Sequence, residues 1–225
     1  MNLYDLIGEL REGGSVELLS QWKGVPVRVR MTIKWVSPEE RFVSLDMKDC
    51  RFRHIFSSPS VYMKLKEVYI EASVFSNIRD ELVVEVLGIA PPPPFVLREF
   101  VRVEPSDREP IYVNFWVHET EFVRAKVVDI SEVGVGVLLT KEEAERLLTD
   151  LTPPHSLHKE VYLELYLPHS DTIRGLGELR NILSHQEGVY VRLGFRLEME
   201  EKDKRKLRQY ILRRQREILE DLRKL

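Results

Sequence analysis

Two arginines, Arg98 and Arg102, come shortly after a run of four prolines and are the first candidates for chemistry. On a strand, residues four apart share one face but lie roughly 13 Å apart at ~3.3 Å per residue, too far for one small group. If the chain bends as it leaves the prolines, both planar guanidinium groups can converge on phosphate oxygens or on the O6/N7 edge of guanine. The plain alternative is two solvated arginines on a strand.

The second candidate is the stretch "DISEVG", which begins at Asp129. A carboxylate can accept two hydrogen bonds from the N1–H and the exocyclic amine of guanine, and Ser131, two residues on, projects from the same face of a strand. Gly134 permits a turn with positive φ and a close approach of the backbone to a flat ring. The plain alternative is an ordinary turn between two strands.

Taken together and in this order, the two elements resemble the signatures of the PilZ domain family, small β-barrels that bind the bacterial second messenger cyclic di-GMP. The matching positions are Arg98, Arg102, Asp129, Ser131 and Gly134. The resemblance continues through "VYVRLGFRLEM" and the final helix, and so covers roughly residues 95–225. It implies that the arginines bind the phosphates and Hoogsteen edges of cyclic di-GMP, and that the aspartate and serine bind the Watson–Crick edges.

One departure from the family pattern concerns stoichiometry. Many family members carry a further arginine immediately before the pair, where this chain has Leu97. The resemblance therefore implies one bound cyclic di-GMP rather than an intercalated pair. In architecture alone, residues 1–88 resemble the N-terminal domain of flagellar-brake-type proteins.

The elements that must position these residues are mainly β. A short amphipathic helix over residues 3–11 ends at Gly13-Gly14, and the apolar residues then alternate as far as Gly88, which predicts five or six antiparallel strands and a small barrel. The stretch "APPPPF" cannot continue a central strand, because prolines lack an N–H, and it is predicted to be a polyproline II spacer.

Strand patterns resume with "REFVRVEP" and predict a second small antiparallel barrel. A helix, "KEEAERLLTD", interrupts these strands, with Thr140 and Glu143 as its capping box. The predicted domains are an N-terminal barrel over 1–89, a proline-rich linker over 90–97 and a PilZ domain over 98–225 that includes a helix over 200–225. At ~1.5 Å per residue this helix spans about 40 Å. Its narrow apolar stripe fits either a partner helix in a homo-oligomer or packing on its own chain.

Composition limits the function classes. The formal net charge is −3, so the chain as a whole does not attract nucleic acid or anionic lipid, and the one cysteine, Cys50, cannot form an internal disulfide. No apolar window approaches a membrane span or a signal peptide, so a cytoplasmic protein is expected. The spacing of His155, His158 and His169 matches no metal motif, and no catalytic constellation is recognisable. We therefore expect no enzyme, no metal and no cofactor besides the ligand.

The predicted function is a cyclic di-GMP receptor that changes the arrangement of its domains on ligand binding and acts through a downstream protein partner on motility, biofilm formation or a related output. One alternative is a tandem-barrel nucleic-acid-binding protein with Trp22, Trp35 and Trp116 as a stacking surface. Another is a degenerate PilZ scaffold that only mediates protein contacts.

Overall fold

The computed structural model describes residues 3–57, 60–148, 151, 155–170, 172–185 and 189–224. The chain divides into two compact units, Met1–Glu99 with Ile218–Leu225, and Phe100–Glu217. Each unit contains a closed six-stranded antiparallel barrel, and the chain ends in a long helix. The predicted fold class, mainly β with two small barrels and a C-terminal helix, is confirmed.

The first barrel follows the predicted N-terminal helix, α1 (Leu3–Glu9). Its strands are β1 (Ser15–Trp22), β2 (Val25–Ser37), β3 (Phe42–Asp46), β4 (Ser60–Leu65), β5 (Val68–Ile78) and β6 (Glu81–Ala90), with a 3-10 helix at Arg53–Ser57. Around the barrel they run β1-β2-β3-β6-β5-β4. Inward-facing apolar side chains such as Leu45 and Ile70 form one core with Leu6 of α1, and Leu222 from the end of the chain belongs to the same core.

The proline-rich segment is extended over only part of its length. Pro93 has φ −60° and ψ 143°, which is polyproline II geometry, but a short helix, α2 (Pro94–Leu97), begins at the next residue. Proline is tolerated at the first helical position because its missing N–H has no partner there. Phe95 of α2 is 9% exposed and lies edge-on to Tyr62 with ring centroids 6.0 Å apart. The predicted spacer is therefore wrong beyond Pro93.

The second barrel has the strands β7 (Tyr112–His118), β8 (Glu121–Ser131), β9 (Gly134–Thr140), β10 (Glu160–Tyr166), β11 (Thr172–His185) and β12 (Tyr190–Met199). They run β10-β11-β12-β9-β8-β7 around the barrel. A 3-10 helix occupies Pro168–Ser170, and the core includes Phe115 and Phe195, whose ring centroids lie 4.7 Å apart.

The helix between β9 and β10, α3 (Lys141–Leu148), has the predicted capping box. The backbone N–H of Thr140 donates to Glu143 Oε2 at 2.9 Å, and the N–H of Glu143 donates to Thr140 Oγ1 at 3.3 Å. This reciprocal pair satisfies two N–H groups that a helix start leaves without partners. The last two residues of the predicted helix, 149 and 150, lie outside the described part of the chain.

The strand predicted for "REFVRVEP" does not form. Residues 98–105 are irregular with bends at 99 and 100, and only Val103 makes a β-bridge, to Ile130. The reason is that β8 already pairs with β7 over Glu121–Lys126 and with β9 towards Ser131, so only a short stretch of its edge is available. Alternation in the sequence reports a buried face, but it does not report whether a free strand edge exists.

The last helix is α4 (Glu201–Lys224). Its apolar stripe is buried: Leu207, Ile211, Ile218 and Leu222 are each 3% exposed or less, whereas Leu225 lies outside the described residues. Packing on its own chain, one of the two alternatives, accounts for this stripe. Homo-oligomerisation stays a prediction. Within the described residues, no helix is long and apolar enough to cross a membrane.

Candidate ligand-binding site around Asp129

The carboxylate of Asp129 lies at the centre of the candidate site. A bulge between Val127 and Asp129 places this residue opposite Gly136 of β9, with its side chain 13% exposed. A Cβ on residue 136 would lie 2.7 Å from Asp129 Oδ2, well inside van der Waals contact, so the carboxylate would have to shift. Gly136 therefore makes the space that the carboxylate occupies, a role that the sequence analysis missed. The available signal was the second glycine of "GVG", which begins at Gly134.

Two guanidinium groups meet this carboxylate from different parts of the chain. Nη2 of Arg192, on β12, donates to Oδ2 of Asp129, and Nη1 of Arg102 lies 3.7 Å from Oδ1. The two arginine side chains are 42% and 46% exposed. The cluster therefore carries two positive charges against one negative charge and keeps half of each cation open to an anionic ligand. Arg192 was not among the predicted site residues.

Arg102 is brought to Asp129 by its neighbour in the chain. The N–H of Val103 donates to the carbonyl of Ile130 at 2.9 Å, and the N–H of Ile130 donates back at 3.0 Å. Both side chains are fully buried, so the bridge is also an apolar anchor. The segment that carries Arg102 is thus irregular around a single bridge, and not an extended strand.

Ser131 and Gly134 form the turn beside the cluster. Ser131 is 4% exposed, and its hydroxyl donates to the carbonyl of Gly134 at 3.4 Å, so it closes the turn. Gly134 does not have positive φ, and that expectation is wrong: the described glycines with positive φ are Gly13 and Gly24. A Cβ at Gly134 would instead lie 3.0 Å from the carbonyl oxygen of Phe195, a tight contact, so the close approach of β12 favours glycine there.

The structure brings four of the five predicted residues together within the second unit. Arg98 belongs to the first unit, where it is half-buried and follows directly on α2. Leu97, which stands where other family members carry an arginine, is 68% exposed.

A cavity of about 610 Å³ borders the Ser131–Gly134 turn. Its charged lining includes Glu132, Glu201, Arg196, Lys204 and Arg208, and Arg208 Nε lies 2.8 Å from Glu132 Oε2. This volume is typical of small-molecule sites. The lining carries five glutamates against three bases, so an excess of positive charge is found at Asp129 and not here.

The histidines and tryptophans considered from the sequence are not among the side chains that contact Asp129. His158 Nδ1 is within 2.7 Å of Glu178 Oε1, and this contact is the main reason why the pKa of Glu178 is lowered. Over the described ranges, no three acidic, histidine or cysteine side chains are arranged to hold a metal ion. The three tryptophans have different environments: Trp22 packs on the first core, Trp35 donates to Glu81 at 3.1 Å, and the ring of Trp116 lies 5.5 Å from that of Phe122.

The barrel and its two signatures define the class of the protein. The family model of the PilZ domain matches residues 97–213, just over half of the chain, so the chain belongs to the PilZ domain family. A protein of Aquifex aeolicus (strain VF5) is 31% identical over 218 residues, which are 96% of this chain and 93% of the relative. A second protein of that organism is 27% identical over 195 residues, 86% of this chain and 91% of the relative.

Three solved structures are also similar. The complex of MrkH from K. pneumonia with c-di-GMP is 15% identical, with a TM-score of 0.49, over 99% of this chain and 96% of MrkH. Escherichia coli YcgR in complex with c-di-GMP is 14% identical, with a TM-score of 0.46, over 98% and 92% of the two chains. The Bacillus subtilis inhibitor of motility, MotI/DgrA, is 16% identical, with a TM-score of 0.44, over 91% and 97%.

Proposed function

We propose that this chain is a non-catalytic cytoplasmic receptor for cyclic di-GMP. The observation that carries the proposal is the pair of half-exposed guanidinium groups, those of Arg102 and Arg192, at one carboxylate, Asp129, in a chain of the PilZ family. Cyclic di-GMP presents two phosphodiester charges and two guanine rings, which require cations and a hydrogen-bond acceptor. MrkH and YcgR, according to the names of their structures, bind this ligand.

In this proposal different residues of the site bind different parts of the ligand. Asp129 accepts hydrogen bonds from the N1–H and the amine of one guanine, while Arg98, Arg102 and Arg192 bind phosphate oxygens and the O6/N7 edge. Ser131 and Gly134 hold the turn that frames the guanine. Without ligand, both oxygens of Asp129 face guanidinium groups, so binding exchanges these ion pairs for contacts with guanine and moves the released cations to the phosphates.

The direct test is calorimetric titration with cyclic di-GMP, GTP and the linear dinucleotide. We expect tight binding of the cyclic ligand alone. Arg102→Ala is expected to weaken it by about thirtyfold, because a charge-assisted contact of ~2 kcal/mol is lost. The matched control is Arg108→Ala, at an exposed arginine six residues further on. A folded Arg102→Ala protein with wild-type affinity would refute the site.

The same titration decides between this function and the alternatives. A protein that binds single-stranded polynucleotide with a steep salt dependence and ignores cyclic di-GMP is a nucleic-acid-binding protein. One that binds neither is a scaffold. For the receptor we expect one ligand per chain, because Leu97 adds no third cation to the arginine pair, and Leu97→Arg should move the ratio towards two. A wild-type ratio of two would contradict this role of Leu97.

In this proposal the output follows from the position of the arginine pair at the start of the predicted PilZ domain, 98–225, directly after the linker that joins it to the predicted domain 1–89. A ligand that binds one arrangement of the domains more tightly shifts the population towards it. In this proposal the new arrangement acts on a protein partner that controls motility, biofilm formation or a related response. Small-angle scattering with and without ligand tests the shift, and superimposable profiles would exclude it. The mass from the same data decides whether the chain is a monomer or a homo-oligomer.

A further inference from the structure

The helix α4 contacts the segment that carries Arg102, through a residue that lies just beyond the family match. That match ends at residue 213, and the next residue is Arg214, with 5% of its surface exposed. Nε of Arg214 donates to the backbone carbonyl of Glu104 at 2.9 Å, and its Nη1 donates to Glu217 Oε2 at 3.0 Å.

The choice of a backbone partner is informative. Burying a guanidinium costs free energy unless its N–H donors are hydrogen-bonded and its charge is balanced. One carboxylate is sufficient to balance the charge. Here Glu217, one turn further along α4, supplies the charge, and the remaining contact goes to the Glu104 carbonyl. A hydrogen bond to a carbonyl fixes the path of the chain and is indifferent to which side chain stands there.

Two consecutive residues of this segment are thereby anchored from two elements. Val103 is bridged to Ile130 of β8, and Glu104 is held by α4. Arg102 is the first residue before these anchors. Neither anchor touches the Arg102 guanidinium itself, which stays 46% exposed, so they determine where the arginine stands without occupying its donors.

The same helix also contacts the other signature. Arg208 Nε lies 2.8 Å from Oε2 of Glu132, between Ser131 and Gly134. Arg208 and Arg214 are separated along the helix by ~9 Å at ~1.5 Å per residue. One rigid element therefore contacts both of the segments that must stay in register for Arg102 to face Asp129.

We propose that Arg214 is a positioning residue for ligand binding: through the carbonyl of Glu104 it holds Arg102 in place opposite Asp129. This inference rests on the proposed function, since the ligand is taken to be cyclic di-GMP. It assigns to α4 a part in the affinity of the site although Arg214 is not among the residues proposed to contact the ligand.

The first experiment measures, without ligand, how firmly the segment that carries Arg102 is held against β8. Hydrogen exchange at the Val103 and Ile130 amides is compared in the wild type, Arg214→Ala, Arg214→Lys and the control Arg216→Ala. Arg216 is exposed and forms no ion pair with any described residue. We expect faster exchange at both amides in Arg214→Ala, an intermediate rate in the charge-retaining lysine variant and no change in the control, with exchange in β12 unaltered. Equal rates in Arg214→Ala and Arg216→Ala would overturn the proposal.

The second experiment asks whether the effect passes through Arg102. In titrations with cyclic di-GMP, Arg214→Ala should weaken binding about tenfold. This is the loss expected when the fraction of molecules in which Arg102 faces Asp129, and which can therefore bind the ligand, falls to about a tenth. In a protein that already carries Arg102→Ala, the same change should cost less than twofold, because there is no arginine left to place. Losses that multiply in the double variant would overturn the proposal. A wild type that does not bind would instead refute the proposed function, and the exchange rates would still decide whether Arg214 holds the segment.

Discussion

The two barrels of this chain are built on the same plan. Renumbered from its own first strand, the second barrel has the strand order of the first, 1-2-3-6-5-4. Both also have a bulge at the same place in the second strand, between Ile33 and Trp35 in β2 and between Val127 and Asp129 in β8. The sequence shows no repeat, so the comparison is possible only from the strand pairing.

The pairing makes three positions equivalent in the two barrels. On the second strand Trp35 corresponds to Asp129, on the third Ser44 corresponds to Gly136, and on the sixth Glu81 corresponds to Arg192. In the first barrel, Trp35 Nε1 donates to Glu81 at 3.1 Å and the hydroxyl of Ser44 donates to the same oxygen. In the second, Arg192 donates to Asp129 over a glycine.

The difference shows that the scaffold determines which positions meet, while side-chain identity determines what they can do. Trp35 and Ser44 fill the space in the first barrel and satisfy its carboxylate internally. In the second barrel Gly136 leaves the same space to the Asp129 carboxylate, and the acid lies on the second strand instead of the sixth. Two half-exposed cations then remain for a ligand.

The largest expected effect on ligand affinity is at Asp129, and almost no effect is expected at Trp35, the equivalent position of the first barrel. Asp129→Ala should weaken cyclic di-GMP binding by on the order of a hundredfold, because it removes an acceptor of two hydrogen bonds and leaves two cations unpaired. Trp35→Ala should change the affinity by less than about twofold. Calorimetric titration measures both. Comparable losses of affinity in the two variants would contradict the assignment of ligand binding to the second barrel alone.

A smaller effect is expected when the glycine is replaced by the residue of the first barrel. Gly136→Ser puts a Cβ 2.7 Å from Asp129 Oδ2, so the carboxylate must move, and affinity should fall about tenfold. The reciprocal change, Ser44→Ala, should leave the affinity intact and lower the free energy of unfolding by about 1 kcal/mol through the lost hydrogen bond. Titration and urea unfolding distinguish the two. Wild-type affinity in Gly136→Ser would show that the space is not required.

Arg192→Ala should cost only about threefold to fivefold in affinity. An ion pair between partly exposed groups is worth up to ~1 kcal/mol, and its removal also frees Asp129 Oδ2 for guanine. Arg192→Lys should recover part of the loss. If Arg192→Ala instead tightens binding, the arginine competes with the ligand for Asp129 and does not assist it.

The smallest effect is a pH dependence confined to the first barrel. The hydrogen bond from Ser44, followed by that from Trp35, lowers the pKa of Glu81 below its ordinary value of 4.5. A lowered pKa in the folded state adds stability above the unfolded value, and this stability is lost as the pH falls through the folded value. The difference in unfolding free energy between wild type and Glu81→Gln should therefore shrink below pH ~4.5. A difference that stays constant down to pH 3 would contradict this cause.

Sequence patterns were sufficient where the information is local. Alternation predicted the strands, Thr140 and Glu143 predicted a helix start, and the motif brought attention to Asp129 and Ser131. Arg192 and Gly136 could not be found in this way, because their importance depends on the register of β9 and β12 against β8. The strand predicted at "REFVRVEP" failed for a related reason, since a strand requires a free neighbouring edge that no local pattern encodes.

The burial of Leu222 in the first barrel has a consequence for how the protein is made. Every strand of that barrel has been translated by Ala90, yet one of its core side chains, 1% exposed in the final structure, is added only after every strand of the second barrel. At ~5–20 residues per second, the nascent barrel must wait on the order of ten seconds for it. During that interval an apolar cavity of leucine size remains open, a defect that costs folded domains ~2–5 kcal/mol. The first barrel is thus the first to be translated but cannot be complete before the second has left the ribosome.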